Sequence, residues 1–334
     1  MRLDRAHAET LLQRLAGRKV AVLGDVMLDE YLFGEVSRIS PEAPVPIVRV
    51  LREQAVLGGA ANVAANLKAL GAEPILLGTL QKDAAGDRVL GLLGRLGISI
   101  SGLVLDPTRP TIIKTRVVGQ QQQMLRIDRE EPGPPEAAVL LGLRDRLTRA
   151  VEEATALIVS DYAKGVVCAP VMDLVRERCA ARGIPWIVDP KPGHKALYRG
   201  ATLMTPNTKE ASELAQRPAK TDAEAADAGR AILAELGLQG LLVTRSERGM
   251  ALFAPDGDHA APWLIPTEAR EVFDVSGAGD TVIAAFSAAV GAGADWREAA
   301  MLANAAAGVV VAKAGTATVT PAELLAHYRE QEAN

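Results

Sequence analysis

The residues best suited to chemistry lie at 274–281, where Asp-Val-Ser-Gly-Ala-Gly-Asp-Thr precedes an Ala-rich apolar run. This run predicts a buried helix, and Gly277 and Gly279 leave the first backbone N–H groups of that helix open. Those groups and the helix dipole form a site for a phosphate or a developing oxyanion. Asp280 adds a carboxylate base, as phosphoryl transfer requires. The alternative is a Gly-rich turn in which Asp280 is an ordinary first-turn residue, and spacing alone does not choose.

Asn207 and Glu210 follow a predicted strand at 201–205. Together they would hold a hydrated Mg²⁺, which keeps its waters and takes few protein ligands. The same two residues also form a common capping pattern at the start of a helix. Taken alone, this motif is better explained by capping.

A polar loop follows the predicted strand 240–244 and leads into a returning strand. The hydroxyl groups of Thr244 and Ser246 are placed to meet nucleotide phosphates. The alternative is an exposed hairpin, which suits the charges of Arg245, Glu247 and Arg248.

Asp25 directly follows the predicted strand 19–23, at the position where open α/β sheets bind ligands, and Asp29 comes four residues later. Turn chemistry is the alternative for both residues and is favoured for Asp25 taken alone. The lysines Lys164 and Lys191 also follow strands. They are candidates for neutralising phosphate charge or are solvated loop residues.

Gly58-Gly59 and Asn62 open a predicted helix that continues through Leu70 and stops at Gly71. Two glycines allow a ligand to approach the backbone closely, and the Asn62 amide offers a donor and an acceptor. A helix entry without a ligand explains this motif at least as well.

The elements that must position these residues alternate regularly. A short helix at 8–16 and the strand 19–23 come first. The later strand-like segments are 74–80, 156–160, 185–189, 201–205 and 240–244. The later helix-like segments are 84–96, 136–153, 169–182, 208–216, 222–236, 280–292 and 295–313. This alternation predicts an α/β fold with a mostly parallel sheet covered on both faces.

Two β-rich segments, at about 30–56 and 111–128, interrupt this pattern. The first contains three prolines and has no helical period, and the second reads as two strands around Gly119-Gln120. We expect a small separate sheet that covers a site as a lid or pairs with another subunit through its edges.

Composition excludes several function classes. The 334 residues carry a net charge of −4 and only 3% aromatic residues, which argues against a nucleic-acid partner. The two cysteines and four scattered histidines show neither a disulfide framework nor a zinc spacing. Charges throughout residues 1–18 and the lack of a long apolar run predict a cytoplasmic protein without a membrane partner. Neither GxGxxG after the first strand nor a GxxxxGK[ST] loop occurs.

Taken together, four motifs in the expected order resemble the ribokinase-like (pfkB) family of sugar kinases. They are Gly58-Gly59 with Asn62, Pro206-Asn207 with Glu210, the loop 244–249, and the signature 277–280. The resemblance runs nearly end to end and implies one ribokinase-like domain over 1–334. Segments such as GDVMLDEYLFG, SDYAKG and NAAAGVVVAKAGT are most similar to the stand-alone D-glycero-D-manno-heptose 7-phosphate kinases of this family. Because the chain ends at Asn334, no fused nucleotidyltransferase half is expected.

The resemblance implies a role for each matching residue. Asp280 resembles the base, and Gly277, Ala278 and Gly279 resemble the anion hole. The residues expected near ATP are Asn207, Glu210, Thr244, Ser246, Gly249, Asn304 and Lys191, with Glu210 reaching Mg²⁺ through water. The residues expected near the sugar are Asp25, Asp29, Gly58, Gly59 and Asn62. For the acceptor phosphate the candidates are Arg38 and Lys164, with Lys114, Arg116 and Arg126 left open. Ser276 stands where many relatives have Thr and keeps the hydroxyl.

The implied reaction moves the ATP γ-phosphate to the anomeric hydroxyl of a heptose 7-phosphate, giving the 1,7-bisphosphate for lipopolysaccharide core heptose synthesis. ATP and Mg²⁺ are the implied cofactors, and dependence on a monovalent cation is left open. By analogy, a homodimer through the β lid is expected. Two alternatives stay open: a kinase for a fructose phosphate, ribose or a nucleoside, and a non-catalytic sugar-binding protein on a kinase fold.

Overall fold

A nine-stranded sheet forms the centre of the computed structural model. The structure describes residues 3–120, 122–254, 261–269, 272–313 and 315–332. Gln121, inside the second predicted lid segment, lies outside these ranges. In order across the sheet, the strands are β13 (Trp263–Ile265), β12 (Met250–Phe253), β11 (Gly240–Thr244), β10 (Leu203–Met204), β9 (Trp186–Asp189), β8 (Ala156–Ser160), β1 (Lys19–Gly24), β4 (Glu73–Leu80) and β5 (Leu103–Leu105). The strands from β11 to β5 run parallel, and β12 is antiparallel to both of its neighbours, β11 and β13, which confirms the prediction of a mostly parallel sheet.

Helices cover both faces of this sheet. They are α1 (Arg5–Leu15), α2 (Ala60–Ala69), α3 (Ala84–Arg95), α4 (Ala137–Glu153), α5 (Ala169–Arg182), α6 (Thr208–Ala215), α7 (Asp222–Leu236), α8 (Ala278–Gly291), α9 (Trp296–Val311) and α10 (Pro321–Glu332). Within the described ranges, none of these helices is long and apolar enough to cross a membrane.

The side chains of β1 point alternately to the two faces of the sheet, and each face is covered by its own hydrophobic core. Val20 and Val22 point into a cluster with α1, α2, α3, α8 and α9, whereas Ala21 and Leu23 point into a cluster with α4, α5, α6 and α7. Because successive strand residues face opposite sides of a sheet, an uninterrupted apolar strand is buried on both faces.

A second, four-stranded sheet has the order β3-β2-β6-β7. Its strands are β2 (Val26–Ile39), β3 (Pro46–Gly59), β6 (Ile112–Gly119) and β7 (Gln122–Arg129). We call it the small sheet. The strands β2 and β6 are parallel, whereas β2–β3 and β6–β7 are antiparallel pairs with bulges. The predicted separate sheet is therefore present, but it begins at Val26, so Asp29 lies inside a strand rather than in a turn.

Most predicted elements occur within a few residues of their expected bounds. The sequence reading missed the short strands β5 and β13 and the helix α10, and it made β10 too long. The short strands have three residues each, fewer than a periodicity argument needs.

Candidate active site

Polar residues gather at the carboxyl edge of the central sheet. There β1 is followed by Asp25, β8 by Asp161, β9 ends at Asp189 and β10 is followed by Asn207. The strands are parallel, so their carboxyl ends lie along one edge, where open α/β sheets bind ligands. The start of α8 brings Asp280 to the same group of residues, as its contacts show.

The Asp280 carboxylate is held on both oxygens. The Asn62 amide donates to Oδ2 at 2.6 Å, and the Tyr162 hydroxyl donates to Oδ1 at 3.1 Å. Only 6% of Asp280 is exposed. Two predicted site residues, Asn62 and Asp280, are thereby brought into direct contact across 218 residues of sequence.

Burial raises the pKa of Asp280 from its ordinary value to about 6. The hydrogen bonds from Asn62 and Tyr162 oppose this rise because they favour the charged carboxylate, and Lys191 acts in the same direction. The negative charge of Asp29 adds to the rise. A carboxylate with this pKa is a stronger base than a solvated aspartate and is still mostly ionised at neutral pH.

The first turn of α8 is open for an anion. Gly277 caps the helix in the left-handed conformation with φ of +79° and makes no side-chain cap. Among the described residues, no acceptor takes the backbone N–H groups of Gly279 and Asp280. A Cβ added to Gly279 would meet nothing within 4 Å. Free N–H groups, helix dipole and space together suit a phosphoryl group.

Asn62 is itself fixed by a buried polar chain. Asn66 donates to the Asn62 backbone carbonyl at 2.9 Å, and the Thr281 hydroxyl donates to Asn66 Oδ1 at 2.8 Å. The chain joins α2 to α8, so the amide that holds Asp280 keeps one orientation. The sequence reading missed Asn66 and Thr281. The signal was a second asparagine four residues after Asn62, on the same face of an apolar helix.

A second group of predicted residues lies around the start of α6. Asn207 Oδ1 accepts from the Glu210 N–H at 2.9 Å, and Glu210 Oε2 accepts from the Asn207 N–H at 3.0 Å. The capping alternative is therefore present. The other carboxylate oxygen, Glu210 Oε1, lies 3.4 Å from Lys191 Nζ. The backbone of Asn207 forms an isolated parallel β-bridge with that of Thr244. Glu210, Lys191, Asn207 and Thr244 thus belong to one cluster.

The loop after β11 joins that strand to the antiparallel β12 as a tight hairpin, and Ser246, Glu247 and Arg248 are exposed at its turn, as the hairpin alternative expects. Ser246 has φ of +52°, and Gly249 has φ of +76° where a Cβ would collide with Ile265. Arg245 is only 4% exposed and pairs with Asp222 at 2.5 Å, which overturns the expectation that its charge is solvated. Asn304 is buried on α9 and donates to the Pro266 carbonyl at 2.8 Å. Contacts of these residues with a nucleotide stay a prediction.

Asp189 is a carboxylate that the sequence reading did not single out. Burial raises its pKa well above the ordinary value, and the nearby Glu210 and Asp280 add to the rise. Within the described ranges, no hydrogen bond or ion pair reaches the Asp189 carboxylate, and the nearby Lys191 lies instead 3.4 Å from Glu210. Two neighbouring carboxylates without enough positive charge suit a divalent cation that keeps most of its waters. Within the same ranges, no three acidic, His or Cys side chains would enclose a metal by themselves.

Asp25 holds a loop. Its oxygens accept from the backbone N–H groups of Tyr162, Lys164 and Val166 at 3.0, 3.0 and 3.1 Å. The residue is fully buried, and burial raises its pKa. The turn alternative therefore describes its observed contacts. Contact of Asp25 with a sugar stays a prediction.

Asp29 faces Arg116, whose Nη1 lies 2.6 Å from Asp29 Oδ1. Gly58 lies diagonally across on β3, paired with Met27, and a Cβ there would stand 2.5 Å from Asp29 Oδ2, so glycine leaves room for the carboxylate. Gly59, with φ of +57°, begins α2 and brings Asn62 into the site. These residues link the small sheet to the group of side chains around Asp280.

The basic candidates for the acceptor phosphate separate into two sets. Lys164 pairs with Glu130 at 2.6 Å, and Lys114 lies 3.1 Å from Asp128 and 3.3 Å from Glu130. Arg126 makes two bonds to Asp128, at 2.7 and 2.9 Å. Arg38 instead is exposed near the far end of β2 and has no hydrogen-bond or ion-pair partner among the described residues. The contacts do not join Arg38 to the others.

A family model described as pfkB family carbohydrate kinase matches residues 18–323. The D-beta-D-heptose 7-phosphate kinase of Bordetella bronchiseptica is 47% identical over 316 residues, covering 93% of this chain and 96% of that protein. The bifunctional protein HldE of Trichlorobacter lovleyi is 45% identical over 97% of this chain. The chain spans 65% of the length of that relative.

Solved structures are similar in fold. Arabidopsis thaliana ribokinase complexed with ribose and ATP superposes with a TM-score of 0.75 at 23% identity, over 94% of this chain and 99% of that one. The tetrameric inhibited form of phosphofructokinase-2 from Escherichia coli gives 0.77 at 17% identity, over 95% and 99%. The predicted ribokinase-like fold is confirmed.

Proposed function

Because this chain belongs to the pfkB family of carbohydrate kinases, and so is a phosphotransferase that acts on a sugar hydroxyl, we propose that it phosphorylates D-glycero-D-manno-heptose 7-phosphate. ATP donates the γ-phosphoryl group, and the anomeric hydroxyl accepts it to give the 1,7-bisphosphate and ADP. The choice of acceptor is supported by the Bordetella bronchiseptica relative, whose name states a heptose 7-phosphate and which this chain matches at 47% identity.

One observation carries the chemical part of the proposal: a buried carboxylate at the start of α8, beside N–H groups for which the described residues offer no acceptor. The acceptor hydroxyl binds Asp280, whose pKa of about 6 lets it take the proton at neutral pH. The new bond forms between that oxygen and the γ-phosphorus while the bond to the β-phosphate oxygen breaks. The N–H groups of Gly279 and Asp280 stabilise the charge on the transferred group.

Asp189 and Glu210 would hold Mg²⁺. When bound, Mg²⁺ supplies positive charge to the phosphate oxygens of ATP. Lys191, 3.4 Å from Glu210, adds a cation on the same side. The loop 244–249 and Asn304 are proposed to bind the nucleotide, and Gly58, Gly59, Asn62 and Asp29 the sugar. Asp25 is proposed to support sugar binding indirectly, by fixing the backbone of the loop that contains Tyr162, Lys164 and Val166.

The test is ADP release with Mg-ATP across a panel of acceptors. The panel contains D-glycero-D-manno-heptose 7-phosphate, sedoheptulose 7-phosphate, fructose 6-phosphate, ribose and adenosine. Each acceptor is tested with the wild type, with Asp280→Asn and with Asp295→Asn. Asp295 is the matched control because it also starts a helix, α9, and there only caps N–H groups.

We expect turnover confined to the heptose phosphate, a loss of kcat of about 10³-fold or more in Asp280→Asn, and near-normal turnover in Asp295→Asn. ATP affinity, measured by calorimetry, should change little in both variants. Turnover on another acceptor would support kinase activity but reject D-glycero-D-manno-heptose 7-phosphate as the substrate. A normal kcat in Asp280→Asn would reject the assignment of Asp280 as the base.

We also propose a homodimer that forms through the small sheet. All eight residues of the edge strand β7 are exposed. An unpaired strand edge with apolar neighbours is a surface on which a second copy adds readily.

A further inference from the structure

The loop that follows β8 is fixed more firmly than a surface connection requires. Asp25 accepts three of its backbone N–H groups, and Asp161 accepts a fourth, from Ala163, at 2.7 Å. Ala163 is held at φ of +56°, a conformation that residues with a Cβ rarely adopt. Strained backbone of this kind persists only where the surroundings impose it, and such sites are often functional.

This loop delivers one side chain to the catalytic base. The Tyr162 hydroxyl donates to Asp280 Oδ1 at 3.1 Å, while its own backbone N–H donates to Asp25 Oδ2. Lys191 Nζ lies 5.5 Å from the centre of the Tyr162 ring, on a cation–π contact that limits the tilt of the ring. The backbone and the ring of Tyr162 are thus both restrained, and the hydroxyl has a defined position.

A carboxylate offers about four lone-pair positions to donors. Tyr162 and Asn62 occupy one position on each oxygen, so each oxygen keeps one for the acceptor hydroxyl. We propose that Tyr162 is a positioning residue for the phosphoryl transfer, whose hydroxyl aligns the Asp280 carboxylate and keeps it charged until the acceptor binds. The proposal rests on the assignment of Asp280 as the base.

The groups that act on the charge of Asp280 come from several elements. Asp29 comes from β2, Lys191 and Asp189 come from the end of β9, and Asn62 is the neutral donor from α2. Asp29 raises the pKa of Asp280, whereas Asn62, Tyr162 and Lys191 lower it. Removing only the Tyr162 hydroxyl therefore leaves a carboxyl group that gains its proton at higher pH.

The test is the pH dependence of kcat/KM for Tyr162→Phe, because kcat/KM reports the ionisation of the free enzyme. A hydrogen bond to a charged group predicts an upward shift of the acid limb by about one pH unit. The rate should approach the wild-type value above about pH 8.5, where the carboxyl group is ionised in both proteins. A purely structural defect would lower the rate at every pH without moving the limb.

Tyr198→Phe is the matched control. Tyr198 is also buried, and its hydroxyl donates to a carboxylate at 2.6 Å, but that carboxylate belongs to Asp161. We expect no shift of the acid limb in Tyr198→Phe. An equal shift in the two variants would overturn the assignment to Tyr162.

A second measurement does not depend on turnover. In protein labelled with ¹³C at the Asp carboxyl carbons, the resonance missing from Asp280→Asn identifies Asp280, and its titration gives the pKa directly. The titration of Tyr162→Phe should move upward from that of the wild type. An unchanged Asp280 titration would overturn the positioning role, whatever the acceptor panel shows. A shifted titration in a protein that turns over no acceptor would instead reject the proposed function and keep the Tyr162 contact.

Discussion

The Asp280 carboxylate is 6% exposed and lies near the negative charge of Asp29. Two hydrogen bonds and Lys191 only partly offset the loss of hydration, so its pKa is about 6 in the folded chain. In the unfolded chain an aspartate titrates near 3.8. The folded protein therefore binds more protons than the unfolded one between these values, and stability falls as the pH rises through that window.

We predict that Asp280→Asn stabilises the folded protein at neutral pH while it removes activity. The pKa difference corresponds to at most about 3 kcal/mol above pH 6, where the wild-type carboxylate is charged. Near pH 4 the carboxyl group is protonated in the folded state and about half protonated in the unfolded state, so most of the gain should disappear. Thermal or urea unfolding at about pH 7.5 and pH 4 measures both limits. A stability difference that is the same at both pH values would contradict the prediction, and Asp295→Asn serves as the control without a pH-dependent gain.

At the scale of elements, the strands β6 and β7 place two arginines directly opposite each other, Arg116 and Arg126. Like charges at opposed positions destabilise a pair of strands unless anions compensate them. Asp29 binds Arg116 and Asp128 binds Arg126, and Lys114 is the next basic residue on this side of β6. The four cations Arg116, Arg126, Lys114 and Lys164 share only three carboxylates, those of Asp29, Asp128 and Glu130. A ligand phosphate would add negative charge here, so we infer that the acceptor phosphate binds at this face of the small sheet rather than at Arg38.

We predict that Arg126→Met raises KM for the acceptor sugar phosphate by about 10- to 100-fold, as expected for one charge-assisted hydrogen bond. KM for ATP should stay within about twofold. Arg88→Met is the control, because Arg88 also pairs with the small sheet but does so through Glu30, the residue after Asp29. Steady-state kinetics with each substrate varied in turn measures both constants. Equal effects on the two KM values would contradict a phosphate contact.

The sequence predicted the layered α/β fold because the buried strands and the amphipathic helices carry strong periodic signals. It placed the start of the small sheet too late, since Val26–Leu28 are apolar in succession and lack the alternation that marked the rest of the segment. It also missed α10, whose apolar residues do not gather on one strong stripe. Tertiary packing, rather than local periodicity, determines the secondary structure of these segments.

The candidate site was predicted where a residue type and a helix start coincide, as at Gly277–Asp280 and Asn62. Tyr162 and Asp189 were not singled out, because a tyrosine or an aspartate after a strand is ordinary until its neighbour is known. The contact of Tyr162 with Asp280 spans 118 residues of sequence, and no local pattern reports it.

At the scale of the whole molecule, exposed apolar side chains concentrate on the small sheet and its β2–β3 turn. Among the described residues they include Ile39, Val45, Val50, Leu51, Met124, Leu125 and Ile127, each at least 40% exposed. The sheet extends β2 and β3 to 14 residues each, well beyond what is needed to deliver Asp29. A surface of this kind marks a protein contact, and a second copy of the chain would pair its own equivalent surface with it.

We predict that the wild type is a dimer at micromolar concentration and that the double substitution Leu125→Glu with Ile127→Glu makes it a monomer. The two residues are alternate positions of β7, so they share one face. They are 49% and 53% exposed, and their replacement should leave the fold intact. Burying a leucine contributes about 1.5–3 kcal/mol, and each change occurs twice in a symmetric interface, so the dimer should weaken by at least about 10³-fold. Leu141→Glu on α4 is the control, because Leu141 is 68% exposed and lies away from the small sheet. Sedimentation velocity distinguishes the outcomes. A monomeric wild type would reject the dimer, and a double variant that stays dimeric would place the interface elsewhere; either result would leave the exposed face of β7 without a role in assembly.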